Sequence, residues 1–263
     1  MTLDLSLFSP LPAGVCSFGL VADKLLDVRS RERVPEGAAS VICCLFPYYL
    51  GEEAYEGRNQ SRYSVPADYH IVAREKLGAF CEKLALLYPG NVFVPFADSS
   101  PLPEVYCAVM SGLGVMGKNR LCINPEYGSW FFIGEIVTDA AFDPTPPEKT
   151  VCCGCGECLR ACPTGALTDA GIDPEKCLSC LSQKKGELDA ETARLMKKYN
   201  CAWGCDVCQE ACPMNRGKKL SPVPEFYATA KAVFDPENAG GDRAYLWRGK
   251  KTALRNAEVL ESR

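Results

Sequence analysis

Cys152-x2-Cys155-x2-Cys158-x3-Cys162-Pro163 is the stretch that decides how this chain is built, and Cys205-x2-Cys208-x3-Cys212-Pro213 repeats most of it. The spacing is typical of proteins that hold two [4Fe-4S] clusters, because three thiolates of one tight loop reach three irons of the same cube. The fourth cysteine of each run, followed by proline, ligates the neighbouring cluster. The sequence therefore predicts a module that transfers electrons.

The predicted ligand sets are crossed between the two motifs. One cluster takes Cys152, Cys155, Cys158 and Cys212. The other takes three motif cysteines: Cys162, Cys205 and Cys208. Its fourth ligand has to lie outside the motifs, because the position that a regular repeat would use holds Ala202. We predict Cys177, and spacing leaves Cys180 and Cys201 as alternatives. Paired Cys-x2-Cys also permits a zinc site or a disulfide framework, but the two Cys-Pro endings fit clusters.

The composition favours a reduced, cytoplasmic protein. The 263 residues include 17 Cys, an odd number, and 11 of them crowd between Cys152 and Cys212, whereas a disulfide scaffold would spread them. The N-terminus has no basic segment followed by an apolar one, so we expect no secretory signal, and no apolar run approaches the roughly 18 residues of a membrane span. The net charge of −4 gives no general attraction to nucleic acid, so any contact with RNA has to be local.

A proline-rich stretch at 144–147 cannot continue a helix or a central strand and is interpreted as a linker. Before it, apolar patterns predict strands at 39–46, 92–96 and 130–137 and helices at 69–87 and about 102–111, the second helix with Ser99 or Ser100 as its N-cap. The basic, amphipathic segment 244–259 predicts a terminal helix. The fold class is α+β, with an α/β domain at 1–148, a ferredoxin-like module with two [4Fe-4S] clusters at 149–220 and a helical tail at 221–263.

Three polar or glycine-rich stretches of the first domain are candidates for binding: 97–104, 112–119 and 128–135. Gly112-x-Gly114-x2-Gly117 superficially matches a dinucleotide fingerprint, but it follows a predicted helix instead of a strand. It also lacks an acidic residue about 20 positions later in the right structural context. Without a Cβ, these glycines would let the backbone lie against a large flat ligand, and ordinary turn glycines are the alternative.

In their order along the chain these stretches resemble the epoxyqueuosine reductase family, cobalamin-dependent iron–sulfur enzymes of tRNA queuosine synthesis. Besides the cysteine motifs, the resemblance rests on Val41-Ile-Cys-Cys-Leu-Phe-Pro-Tyr-Tyr49, Ser61-Arg-Tyr63 with Asp68-Tyr-His70, Asp98-Ser-Ser-Pro-Leu102, Gly112-Leu-Gly-x2-Gly-Lys-Asn119 and Gly128-Ser-Trp-Phe-Phe-Ile-Gly-Glu-Ile136. It implies that 1–148 binds cobalamin and that the clusters pass electrons to cobalt, which attacks the substrate. The implied partners are tRNA, or a queuosine-type small molecule, and an external low-potential electron donor.

Asp98 is the candidate general acid that the resemblance indicates. Reductive opening of an epoxide leaves an alkoxide that must be protonated before water departs, and a carboxyl group in an apolar site can keep its proton near neutrality. A carboxylate that caps the helix starting near residues 99–101 is the alternative. His70, the one histidine of the chain, is expected to line the site but not to bind cobalt from below, because the pattern Asp-x-His-x2-Gly is absent.

The resemblance also indicates a set of cofactor-binding residues: Arg62, Tyr63, His70, Gly112, Gly114, Gly117, Lys118, Asn119, Gly128, Ser129 and Glu135. Lys118 and Asn119 would meet an amide or a phosphate, with solvated loop residues as the alternative. Glu135 follows a glycine in an apolar strand, so it is either an inward polar residue near the cofactor or an exposed residue of an edge strand.

Three classes of function remain open. The leading interpretation is a cobalamin-dependent reductase, and the alternatives are an electron-transfer or reductive-activation protein for a corrinoid partner and a reductive dehalogenase-like enzyme. Family members continue into helical repeats that help hold tRNA, whereas this sequence has about one such helix. We therefore expect weak, strongly salt-dependent tRNA binding, concentrated on the basic residues between Arg243 and Arg255.

Overall fold

The apolar run predicted as a buried strand is a strand of eight residues in the computed structural model, which describes residues 1–238 and 243–262. In chain order, the strands of this described part are β1 (Ala13–Ser17), β2 (Ser40–Pro47), β3 (Phe93–Ala97), β4 (Val115–Met116), β5 (Cys122–Ile123), β6 (Phe131–Thr138), β7 (Leu167–Thr168) and β8 (Gly171–Ile172). One antiparallel sheet has the order β1-β2-β6-β3, while β4 pairs with β5 and β7 with β8. The strands predicted in the first domain are β2, β3 and β6.

The helices of the same ranges are α1 (Tyr69–Leu87), α2 (Glu104–Met110), α3 (Glu157–Ala161), α4 (Leu178–Ser182), α5 (Ala190–Lys198), α6 (Val207–Glu210), α7 (Glu225–Ala228) and α8 (Lys250–Glu261). The helix predicted at 69–87 is confirmed as α1. The single terminal helix is wrong, because a 3-10 helix at Ala244–Arg248 precedes α8 and Gly249, with a φ of 92°, separates the two. None of these described helices combines the length and the apolar character that crossing a membrane requires.

The four-stranded sheet is covered on both faces, which explains why every residue of β2 is buried. Side chains alternate between the two faces of a strand. On one face, Leu77 of α1 lies beside Phe46 and Gly134. On the other, α2 packs against the sheet and Cys107 joins Cys43 in the core. A strand between two covered faces carries a continuous apolar run instead of an alternating one.

The start of α2 differs from the prediction. The helix begins at Glu104, Pro103 occupies the N-cap position, and no side chain caps it there. Ser100, one of the two predicted caps, instead donates its hydroxyl proton to Glu135 Oε2 at 2.6 Å and accepts a hydrogen bond from the Leu102 amide at 3.2 Å. The polar residues before α2 therefore shape a loop and do not cap the helix.

By its contacts the chain forms two compact units. Unit 1 contains Met1–Pro47, Tyr69–Gly117 and Leu121–Cys152, and the sheet with α1 and α2 builds its core. Unit 2 contains Tyr48–Asp68, Lys118–Arg120 and Cys153–Arg263, and its core includes Trp203, Phe234 and Tyr245. Both units are made of segments that alternate along the chain. The assignment of 1–148 to cobalamin, 149–220 to the clusters and 221–263 to a helical tail stays a prediction.

Replacing Gly112 by Ala is expected to destabilise the protein more than replacing Gly90 by Ala. Both glycines have positive φ, 72° and 95°, so alanine costs about 1–2 kcal/mol at either position. At Gly112 the new Cβ would also overlap the carbonyl oxygen of Pro146, whereas at Gly90 nothing lies within 4 Å. Denaturant midpoints of the two variants measure the difference. Equal losses would show that the chain yields freely around Gly112.

Candidate functional site

A hydrogen-bonded set of polar side chains surrounds Asp98, the residue that follows β3. The phenol of Tyr69 donates to Asp98 Oδ1 at 3.1 Å, and Ser99 Oγ donates to Oδ2 at 3.2 Å. His70 Nε2 lies 3.5 Å from the same Oδ2. Tyr69 and His70 open α1, and α1 packs against β3, so the fold of unit 1 brings the three side chains together.

The backbone at Asp98 is strained. Asp98 and Ser99 have φ values of 51° and 44°, a left-handed conformation that side chains other than glycine rarely adopt. Two hydrogen bonds from an earlier segment hold this loop: Ser30 Oγ donates to the Ser99 carbonyl at 2.5 Å, and the Leu26 amide donates to the Pro101 carbonyl at 2.7 Å. Strained residues of this kind cluster at functional sites, where the surrounding structure enforces them.

Aromatic stacking fixes the orientation of Tyr69. Its ring lies 3.9 Å from that of Phe132, nearly parallel at 7°, and 4.0 Å from that of His70. Sequence reasoning placed Tyr69 only within a motif and missed it as a partner of Asp98. The signal available was its position directly before His70 at a helix start.

The electrostatics of Asp98 differ from the expectation of a carboxyl group that burial keeps protonated. The hydrogen bond with His70 lowers the pKa of Asp98 below its ordinary value, and hydrogen bonds from Tyr69 and Ser99 act in the same direction against the effect of burial. Near neutrality Asp98 is therefore an anion, and a proton available to this site is held by its partners.

Two other carboxyl groups of unit 1 have raised pKa values. Burial, together with the charge of Glu104, raises the pKa of Glu135 to about 8. Burial, together with the charge of Asp98, raises that of Glu104 to about 7. Glu135 is fully buried on β6, an inner strand, so the alternative of an exposed edge residue is wrong. Sequence reasoning missed Glu104.

In the wild-type protein, the free energy of unfolding is expected to fall as the pH rises from about 4.5 to about 8, because of Glu135. Glu135→Gln is expected to abolish this pH dependence. The folded carboxyl keeps its proton through this window while the unfolded one releases it, so the unfolded state gains. The effect is on the order of a few kcal/mol. Unfolding midpoints measured across the window test it, with Glu75→Gln on the exposed side of α1 as the control. Parallel profiles for wild type and Glu135→Gln would contradict it.

A cavity of about 530 Å³ lies beside the Asp98 loop in unit 1. Its wall is mostly apolar, and Ser99, Ser100 and Glu104 supply the polar groups. Apolar walls with a few polar groups are typical of small-molecule sites. The cavity adjoins the strained loop, so it offers space for a ligand near Asp98.

All 17 cysteines lie in the described part of the chain, and none of them forms a disulfide. Four predicted ligands of one cluster influence one another within unit 2. Burial raises the pKa of Cys205 to about 12, with smaller effects from the charges of Cys177 and Cys162. Burial also raises the pKa of the Cys208 thiol, and the charges of Cys177 and Cys162 add smaller effects in the same direction. Their donor set, four thiols in electrostatic range, fits a [4Fe-4S] cluster.

The alternatives to Cys177 are engaged differently. The thiols of Cys177 and Cys180 interact with each other, and this hydrogen bond lowers the pKa of Cys177. Cys180 is exposed. Cys201 is buried and directs its thiol to the carbonyl oxygen of Trp203 at 3.3 Å. These contacts agree with Cys177 as the eighth ligand, which stays a prediction.

Apart from Cys152, which belongs to unit 1, the two cysteine motifs fold alike within unit 2. Cys158 lies in α3 and Cys208 in α6, and these short helices pack against each other. Cys162 directly follows α3, Cys212 follows α6 after Ala211, and a proline comes next in both cases. Across the described residues, no three His, Cys, Asp or Glu side chains converge as the ligands of a single metal ion do. Cluster thiolates differ from such ligands because each binds its own iron.

Asp206, which sequence reasoning missed, lies between Cys205 and Cys208 and is almost fully buried. Its Oδ2 accepts hydrogen bonds from the Arg62 amide at 2.6 Å and from Arg58 Nη1 at 3.3 Å. Burial raises the pKa of Asp206 to about 6, and the Arg58 charge opposes this effect. Arg58 also pairs with Glu210. A buried ion pair therefore lies inside a predicted cluster-binding loop.

The polar residues predicted to bind a cofactor in unit 2 already have protein partners. The Arg62 guanidinium donates to Glu52 at 2.9 Å, and the Tyr63 hydroxyl accepts a hydrogen bond from Trp203 Nε1 at 2.8 Å. Lys118 pairs with Asp169 at 2.8 Å, and Asn119 is buried. These contacts orient the side chains, and their role toward a cofactor stays a prediction.

Several predicted cofactor residues of unit 1 serve its own backbone. An alanine Cβ at Gly114 would lie 2.5 Å from the Ile123 carbonyl oxygen, so this glycine is needed for chain packing. Gly128 closes a turn through two hydrogen bonds with Asn124, at 2.7 and 2.9 Å. The Gly117 amide donates to the Leu121 carbonyl at 2.8 Å, and Ser129 is buried.

The basic C-terminal segment is only partly available to RNA. Arg243 is buried and donates to the carbonyl oxygens of Val65 and Pro66, both at 3.2 Å. Arg255 donates to the Lys184 carbonyl at 2.7 Å and also contacts that of Gly186. Two of the basic residues of this segment are therefore engaged by the protein itself, and the concentration of tRNA contacts between Arg243 and Arg255 stays a prediction. The exposed basic residues of the segment are Arg248, Lys250 and Lys251.

Comparison with known families first defines the class of protein. Residues 151–215 match the 4Fe-4S double cluster binding domain, and residues 29–99 match the domain of epoxyqueuosine reductase QueG. With its mixed α and β fold, the chain is an iron–sulfur protein that contains a double-cluster domain. Its relatives then define the family: the chain belongs to the epoxyqueuosine reductases.

Epoxyqueuosine reductase of Listeria monocytogenes is 38% identical over 216 residues, which are 77% of this chain and 56% of that protein. That of Leadbetterella byssophila is 35% identical over 210 residues, 78% of this chain and 67% of that protein. A crystal structure of epoxyqueuosine reductase with an epoxyqueuosine-modified tRNA-Tyr stem loop is similar with a TM-score of 0.75 and 31% identity, over 86% of this chain and 64% of that one. The chain spans 54 to 64% of the length of three curated epoxyqueuosine reductases, those of Listeria monocytogenes, Bacillus subtilis and Cyclobacterium marinum.

Proposed function

We propose that this chain is a cobalamin-dependent iron–sulfur reductase that converts epoxyqueuosine in tRNA to queuosine. The observation that carries the proposal is the strained Asp98 loop, with Tyr69 and His70 bonded to the carboxylate, in a member of this family. Support for tRNA as the partner comes from the related structure with a modified stem loop. The reaction consumes two electrons and two protons and releases water, so it needs both a reductant and an acid.

The cluster ligands proposed are Cys152, Cys155, Cys158 and Cys212 for one cluster and Cys162, Cys177, Cys205 and Cys208 for the other. Cobalamin, when bound, would supply the centre that attacks the epoxide. The Asp98 carboxylate faces His70, the one histidine of the chain, so unit 1 has no second histidine for a ligand below cobalt. The residues proposed to hold the cofactor are those predicted from the sequence, among them Arg62, Lys118, Asn119 and Ser129.

Asp98 is proposed to deliver the proton through its carboxylate oxygens. Hydrogen bonds lower the pKa of Asp98, so its carboxylate is ionised near neutrality and has no proton of its own to give. It therefore passes on a proton that His70 Nε2 or the Tyr69 hydroxyl supplies. Effective proton transfer requires such a chain within hydrogen-bond reach of the oxygen that becomes an alkoxide. The adjoining cavity gives a substrate group room to reach this position.

The test uses protein reconstituted anaerobically with iron, sulfide and cobalamin, and supplied with a low-potential electron donor. Transfer RNA that carries epoxyqueuosine is the substrate, and mass spectrometry of the digested nucleosides measures queuosine. We expect queuosine only when cobalamin, donor and protein are all present. If neither tRNA nor the free nucleoside reacts, reductive activation of a corrinoid protein becomes the better assignment.

A further inference from the structure

The loop between Cys205 and Cys208 contains a charge that cluster binding does not require. Asp206 is 4% exposed, and its Oδ1 is buried without a hydrogen-bond partner among the described residues. Its Oδ2 is held by the Arg62 amide and by Arg58. A carboxylate in this setting costs free energy unless a cation compensates for it. The side chain is therefore a buried anion, and the charges of Arg58 and, to a smaller extent, Arg62 act on it.

The charged side chains around Asp206 differ in how far they are exposed to water. Arg58, whose side chain is 20% exposed, contacts both Asp206 and Glu210, while Glu210 is 40% exposed. Arg62 directs its guanidinium to Glu52 and Glu210 and donates its backbone amide to Asp206, and its charge affects Asp206 less than that of Arg58 does. Water screens Glu210 and Glu52 far more than Asp206. Arg58 is therefore the cation that acts most strongly on Asp206.

We propose that Asp206 and Arg58 set the reduction potential of the cluster bound by Cys162, Cys177, Cys205 and Cys208. Asp206 lowers this potential and Arg58 raises it. The proposal rests on the cluster assignment under the proposed function. Reduction adds one electron to the cluster, so a buried anion beside its ligands makes the reduced state less stable, and a cation stabilises it.

The placement of Asp206 supports an effect on this cluster in particular. Asp206 directly follows Cys205, lies two residues before Cys208, and is buried with its carboxylate held in place by Arg58 and the Arg62 amide. Charges and hydrogen bonds near the sulfurs are among the factors that tune cluster potentials. A lower potential makes this cluster a stronger reductant for the acceptor that follows it.

The experiment compares Asp206→Asn, Arg58→Gln and Glu210→Gln in the full chain with both clusters assembled, at pH 8. Redox titration followed by electron paramagnetic resonance gives the midpoint of each cluster, and iron analysis verifies assembly. We expect Asp206→Asn to favour the reduced state of the affected cluster about tenfold, which raises its midpoint potential by about 59 mV for one electron. Arg58→Gln is expected to lower it. Glu210→Gln, the matched exposed carboxylate, is expected to shift it least.

The proposal is overturned if Asp206→Asn leaves both midpoints unchanged, if Glu210→Gln matches its effect, or if both clusters move equally. Should Asp206→Asn fail to bind iron, Arg58→Gln alone decides, and an unchanged or raised midpoint contradicts the proposal. The titration needs neither cobalamin nor tRNA. A failure to reduce epoxyqueuosine therefore leaves this result intact, and the reverse also holds.

Discussion

Replacement of Asp98 by Asn is expected to slow the reduction of epoxyqueuosine in tRNA by about 10²- to 10⁴-fold. Asparagine keeps the size of the side chain, and its single amide oxygen can accept one of the two hydrogen bonds that Tyr69 and Ser99 donate, but it cannot pass on a proton. Single-turnover rates with pre-reduced protein measure the chemical step. Iron content and the cobalamin spectrum are expected to match the wild type, because Asp98 is not a predicted ligand of either cofactor.

The control for this variant is Asp139→Asn. Asp139 is another carboxylate of unit 1 that organises a loop, with hydrogen bonds from the Val92 amide at 2.8 Å and from Asn91 at 3.1 Å. Its replacement is expected to leave turnover close to the wild-type rate, because the residue has no role near Tyr69 and His70. Equal rates for the two variants would refute Asp98 as the acid.

Removal of one crossing cysteine is expected to eliminate one whole cluster. Cys212→Ala should abolish the cluster assigned to the first motif, and Cys162→Ala the one assigned to the second. Each variant is then expected to retain about four of about eight irons after anaerobic reconstitution. Iron analysis gives the number lost, and resonance spectra identify which cluster remains.

Cys153→Ala is the matched control, since Cys153 is an exposed cysteine of the same region without an assigned role. It is expected to retain full iron. Loss of the cluster nearest in sequence, instead of the opposite one, would contradict the crossed assignment. Zinc in place of iron in the wild-type protein would contradict cluster binding altogether.

The pattern of apolar residues and of proline and glycine along the sequence predicted the long helix α1 and the buried strand β2. The periodic apolar residues of α1 and the Pro89-Gly90 pair after it set its bounds, and the apolar run of β2 indicated burial on both faces. The break at Gly249 escaped notice because a single glycine is tolerated within many helical patterns. There, a positive φ decided the outcome.

The site depends on contacts that no local pattern contains. Tyr69 and Asp98 meet over 29 residues of sequence, and Arg58 meets Asp206 over 148. The pKa of Asp98 could not be predicted because its direction depends on whether burial or the hydrogen bond with His70 is the larger effect. Arg243 and Arg255 looked like free charges, but loop carbonyl groups take up their donors.

Residues 48–68 give the protein an unusual genetic constraint. The Ser61 amide donates to the Trp203 carbonyl at 2.8 Å, the Ala202 amide to the Asn59 carbonyl at 2.7 Å, and Gln60 to the Lys231 carbonyl at 2.8 Å. A gene fragment that starts at the linker would encode an iron–sulfur half without these partners. A contiguous gene segment therefore cannot encode the whole of unit 2 without also encoding a large part of unit 1.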